Sequence, residues 1–118
     1  MRVDFRIEDG TLILKRESNR GSFSYRISIP AEVEEWIRCG DNLRYLKLLC
    51  NTMFNRRLAN PRAVRSLIYL LYAEAYSIPP YKIAEKMGIQ KEQLYRHRRA
   101  LRKEGLYEAV VSILSKCK

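Results

Sequence analysis

The first thirty residues alternate in polarity. Val3, Phe5 and Ile7 are separated by charged residues, so an extended chain here has one apolar and one charged face. Glu8-Asp9-Gly10-Thr11 follows, and Asp-Gly supplies the positive φ angles that a two-residue hairpin turn needs. A second strand, Thr11 to Lys15, leads into the turn cluster Ser18-Asn19-Arg20-Gly21. Phe23, Tyr25, Ile27 and Ile29 then alternate with polar residues. The pattern predicts three short antiparallel strands.

From Pro30 the period becomes helical. Proline is tolerated in a first turn, Glu32, Glu34 and Glu35 suit the positive end of the helix dipole, and Val33, Trp36 and Ile37 recur on one side. Gly40 stops this short helix and Asp41 is the expected N-cap of a longer one. Its apolar stripe is Leu43, Leu46, Leu49, Cys50, Met53, Phe54 and Leu58. Asn60-Pro61 marks the next boundary. A third helix, Pro61 to Tyr76, carries Val64, Leu67, Ile68, Leu71 and Ala75 on one face. Tyr69, Tyr72 and Tyr76 lie beside them as core-edge or partner contacts, not as a base-stacking platform.

Ser77-Ile78-Pro79-Pro80 breaks the chain. Pro80 starts a short helix with apolar Ile83, Ala84 and Met87. Gly88 ends it, Ile89 and Gln90 complete the turn, and the helix from Lys91 to about Glu104 turns Leu94 and Leu101 inward. In the last segment, Leu106, Val110, Ile113, Leu114 and Cys117 fall at helical spacing; a closing core helix is the favoured reading and a dimerisation helix the alternative. The fold class expected is α+β, mainly α. A three-stranded antiparallel β-rich element with a short helix occupies 1–40 and a helical bundle 41–118, or the two form one compact domain.

Charge sharpens the picture. Lys and Arg number 23 against 13 Asp and Glu, a net charge of +10 over 118 residues, and such a field attracts polyanions. Cys39, Cys50 and Cys117 are widely spaced, lack a Cys-x-x-Cys pair and have a single histidine, His97, to join them, so no metal site is expected. Small buried residues in a reducing cytosol are the favoured reading of the cysteines, with a Cys39–Cys50 disulfide as the minor alternative. The N-terminus lacks an apolar signal core, and the longest nearly uncharged run, Ser66 to Ile78, is too short to span a bilayer and contains Glu74. A cytoplasmic protein is expected. No carboxylate pair, phosphate loop or nucleophile beside a histidine suggests an enzyme, and Ala100 stands where a tyrosine recombinase would need the arginine of its His-x-x-Arg pair. No cofactor or small-molecule effector is expected.

Two helices that touch closely need a small residue at the contact, a glycine where the chain turns left-handed, and apolar residues after each; Ala84, Gly88, Ile89 and Leu94 fill these places. Ile83-Ala84-Glu85-Lys86-Met87-Gly88-Ile89 resembles the first helix and turn of phage repressors. Lys91 to Leu106, KEQLYRHRRALRKEGL, is similar to the recognition helix and following Gly-Leu of MarR-like helix-turn-helix regulators. Arg98 departs from that pattern, which places an apolar residue there. With only 12 residues after Leu106, a plain or tri-helical unit is expected over a full winged helix, unless the N-terminal hairpin serves as the wing.

The resemblance implies that helix 91–104 enters the major groove of double-stranded DNA. On that reading Gln93, Tyr95, Arg96 and Arg99 meet base edges, while Lys82, Lys91, Arg102 and Lys103 reach phosphates. Upstream, Arg26-Ile27-Ser28-Ile29-Pro30-Ala31-Glu32-Val33 with Gly40-Asp41 resembles AbrB-type swapped-hairpin DNA-binding domains, although the interval to Gly-Asp is shorter and helix follows it. That likeness implies further DNA contacts from Arg16, Arg20 and Arg26. A sequence-specific DNA-binding homodimer, a nucleoid-associated transcriptional regulator, is thus expected. The alternatives are a plasmid or viral replication or partition factor and a basic architectural or RNA-associated protein. The abundance of Tyr, Arg and Lys against two Gln mildly suggests a thermophile.

Overall fold

The computed structural model describes residues 2–55 and 61–113, except the side chains at 2, 3, 18, 53–55, 61, 62, 110 and 113. Three strands, β1 (Arg2–Glu8), β2 (Thr11–Ser18) and β3 (Gly21–Ser28), form an antiparallel sheet in the order β1-β2-β3. Asp9 and Gly10 turn the first hairpin with φ of 45° and 76°, the two positive angles that set the Glu8–Thr11 register. The second strand runs past Lys15 to Ser18, further than its apolar alternation indicates, because its polar end stays paired with β3 up to Gly21. Phe5, Leu12, Leu14 and Ile27 bury the inner face. Ile13, on the polar face, is also buried; in register it lies between Arg6 and Arg26, whose aliphatic stems can cover a central neighbour.

Pro30, at a φ of −64°, precedes α1 (Ala31–Ile37), which buries Val33, Trp36 and Ile37. The Asp41 carbonyl accepts from the Tyr45 N–H at 3.1 Å, as an N-cap residue should, and α2 (Asn42–Asn55) follows. Asn42 is buried, and its Nδ2 donates to the Trp36 carbonyl at 2.9 Å, tying the start of α2 to α1. Of the stripe expected on α2, Leu46, Leu49 and Cys50 are buried and Leu43 half-buried, while Leu58 and the side chains of Met53 and Phe54 lie outside the described residues.

Helix α3 (Pro61–Ala75) differs from the one-faced helix expected. From Ala63 to Tyr72 every residue except Arg65 is buried, because α1, α4, α5 and α6 pack around it. Tyr69 and Tyr72 are core residues, Tyr72 meeting Trp36 edge-on at 5.6 Å. The chain continues as α4 (Pro80–Met87), α5 (Lys91–Lys103) and α6 (Tyr107–Ile113). One apolar core runs from Phe5 on the sheet to Tyr107 on α6. Tyr107 is buried and Val111 half-buried, so α6 closes the core; Leu114 and Cys117 lie outside the described residues, as do the side chains of Val110 and Ile113.

The sheet is attached through β1, which packs on α2. Lys47 pairs with Asp4 at 2.6 Å, and Arg38 donates to the Ile7 carbonyl at 2.9 Å. Cys39 and Cys50 are free thiols, which removes the disulfide alternative, and burial pushes the Cys50 thiol far up. Among the described residues no group of three or more His, Cys, Asp or Glu side chains could hold a metal, and no helix is long and apolar enough to cross a membrane.

Candidate nucleic-acid interface

Helix α4 ends at Gly88, whose φ is 70°. Its N–H donates to Glu85 and the Ile89 N–H reaches back to Ala84 at 3.0 Å, so the last carbonyls of α4 are satisfied while the chain reverses. Ile83 and Ala84 are buried at the contact with α3 and α5. Helix α5 ends the same way at Gly105, also at φ 70°, with Leu106 donating to Leu101 at 3.0 Å. These two terminations fix the length of α5, and buried Leu94 and Leu101 fix its rotation.

With the rotation set, the outer face follows from the helical period. Glu92, Arg96, Arg99 and Lys103 fall within a stripe roughly 60° wide, centred opposite Leu94 and Leu101, and all four are exposed. No ion pair joins Arg96, Arg99 or Lys103 to another described residue. Three unpaired cations thus line one ridge. Glu92, at its N-terminal end, suits the positive end of the dipole.

The other expected contacts divide around this ridge. Gln93 flanks it on one side, half-buried. Tyr95 flanks it on the other, also half-buried, with the Arg98 guanidinium 4.8 Å from its ring centre, so it is less open than the sequence suggests. Arg102 is exposed but engaged: its guanidinium lies 4.9 Å from the Tyr107 ring centre and its Nε is 3.5 Å from Glu108. Lys82 and Lys91 are exposed on the first turns of α4 and α5, and Tyr81 beside Lys82 is an exposed aromatic. His97 is half-buried; burial first, then neighbouring Arg96, holds its pKa below the usual range.

The sheet arginines do not form one surface. Arg16 shares the inner face with Leu14 and Phe23, Arg26 is on the outer face, and Arg20 is in the β2–β3 turn. The sheet packs on α2, whereas α5 is held by α3, α4 and α6, and α2 follows Gly40-Asp41 where a swapped-hairpin domain would continue as strand.

Sequence reasoning missed the partner of Arg98. Glu74 on α3 lies 3.9 Å from its Nη1, the Arg98 and Glu74 side chains being 24% and 30% exposed. Buried Tyr107 lies beside the same carboxylate, and burial followed by that charge pushes its hydroxyl pKa up. The available signal was that Glu74 is the one charge between Ser66 and Ile78. Lys86 is likewise committed, 3.1 Å from Glu32 of α1, whose carboxyl is held low first by a backbone hydrogen bond and then by Lys86. Comparison with protein-family models, with curated proteins and with solved structures gives no match.

Proposed function

We propose that the protein is a sequence-specific double-stranded DNA-binding protein, a nucleoid-associated transcriptional regulator in which α4 and α5 act as a helix-turn-helix and α5 enters the major groove. The observation that carries this reading is the ridge of Arg96, Arg99 and Lys103: three exposed cations, unpaired among the described residues, on a helix whose rotation the core fixes. Arginine can bridge guanine O6 and N7 with two hydrogen bonds, and lysine can neutralise a phosphate. Arg96 and Arg99 read bases in this scheme, with Gln93 and Tyr95 at their flanks. Lys82, Lys91 and Lys103 hold the backbone, and Arg102 can join them if it leaves Glu108. A net charge of +10 brings the chain to DNA but does not make it selective.

The test begins with selection of a preferred duplex from random sequence. Arg96→Ala or Arg99→Ala should then lose about 1–3 kcal/mol on that duplex and little on a scrambled one at matched salt. Equal losses on both duplexes would overturn direct readout by α5.

A further inference from the structure

The two edges of the sheet are treated differently. Strand β1 carries alternating charges, Arg2, Asp4, Arg6 and Glu8, and is covered by α2 with the Lys47–Asp4 pair and the Arg38 hydrogen bond to Ile7. Edge strands protected in this way resist pairing with other chains. Among the described residues, strand β3 has none of these protections. Its eight residues, GSFSYRIS, include one charge, Arg26, and no proline. Its ladder with β2 runs without a bulge from Ser28 to Gly21. Ser22, Phe23, Ser24, Arg26 and Ser28 are exposed, Phe23 at 55%. In an antiparallel ladder every second residue turns its N–H and C=O away from the neighbouring strand, so β3 presents a row of backbone donors and acceptors at the open edge.

We infer that β3 pairs antiparallel with β3 of a second copy, making a six-stranded sheet across a two-fold axis at Tyr25. The strand's own sequence selects a second copy over an unrelated strand. Opposed residues in a sheet share a face, so only registers that match inner with inner residues are allowed. With Tyr25 opposite the partner's Tyr25, Phe23 meets the partner's Ile27 and Arg26 meets the partner's Ser24. The exposed phenylalanine thereby gains an apolar neighbour, and Ser22 meets the partner's Ser28, so the strand is paired from Ser22 to Ser28. Moving the axis to Arg26 would set like charges opposite each other, which is unfavourable, and moving it to Phe23 would leave the end of β3 unpaired; an axis at Ser24 would pair as many residues and keep the charges apart, but would set Ile27 opposite the partner's Gly21 instead of its Phe23. A strand whose central registers pair all but one of its residues and keep Arg26 away from the partner's Arg26 is complementary to itself, and a two-fold interface requires that property.

Sedimentation of the full chain without DNA tests this pairing independently of the DNA reading. The wild-type chain should show a concentration-dependent monomer–dimer equilibrium. Ser24→Lys places a cation opposite the partner's Arg26 twice per interface and should raise the dimer Kd by about fivefold or more, whereas Ser24→Glu places an anion there and should lower it by a similar factor. Both positions are exposed on the outer face, and unchanged thermal melting at low concentration would establish that each variant folds. A chain that stays monomeric at the highest attainable concentration, or a dimer whose Kd is the same in all three proteins, would overturn the proposal.

Discussion

Ser77 takes a φ of 57°, a left-handed conformation that costs a residue with a Cβ about 1–2 kcal/mol. It sits just past α3, where its N–H donates to Glu74 and the following Ile78 N–H reaches Ala73 at 2.7 Å. The closure is the one that ends α4 at Gly88 and α5 at Gly105, and serine alone of the three lacks glycine's freedom. Ser77→Gly should therefore stabilise the protein by about 0.5–1 kcal/mol, the strain relieved less the larger entropy glycine loses on folding. Gly88→Val should have the opposite effect. A Cβ at Gly88 would meet nothing within 4 Å, so the loss of about 1–2 kcal/mol comes from the backbone angle alone. Urea titration of both variants checks the pair, and equal shifts in one direction would show that these turns are not strained as described.

At the scale of elements, α5 rests on three supports of different kinds: leucines in the core, left-handed closures at the turns before and after it, and the polar contact of Arg98 with Glu74 and Tyr95. The first two were legible in the sequence, because Leu94 and Leu101 obey the helical period and Gly88 and Gly105 punctuate it locally. The hairpin at Asp9-Gly10 was legible for the same reason. The Arg98 contact was not, since its partner is 24 residues away and only tertiary packing brings Glu74 beneath it. The all-round burial of α3 and the open edge of β3 also depend on what surrounds them, which no local pattern encodes. Arg98→Met places an apolar residue at this position but leaves the Glu74 carboxylate unpaired beside Tyr107. It should cost about 1 kcal/mol, a figure kept small because both side chains remain partly solvated. Adding Glu74→Gln should recover most of that loss. A double-mutant cycle in urea gives the coupling, and additive losses would mean that the two charges do not support each other.

For the molecule as a whole, the net charge of +10 governs attraction at a distance, but the number of phosphates neutralised governs how binding responds to salt. These quantities need not agree. Several cations are paired with carboxylates of the chain itself: Lys47 with Asp4, Lys86 with Glu32, Arg38 with Glu34 and Arg98 with Glu74. On the proposed reading the cations that meet DNA are those of α5 and the first turn of α4, so the salt dependence should reflect those residues rather than the total. The logarithm of the association constant should fall linearly with the logarithm of salt concentration, and Lys103→Ala should reduce that slope by about 0.9 per binding chain. The same substitution should weaken preferred and scrambled duplexes equally, because a phosphate contact carries no sequence information. Neutralising Lys47 or Lys86 instead should leave the slope nearly unchanged. Fluorescence anisotropy at four or more salt concentrations measures all of these slopes. If Lys103→Ala matches wild type while Lys47→Ala lowers the slope, DNA binds on the sheet side of the molecule and not on α5.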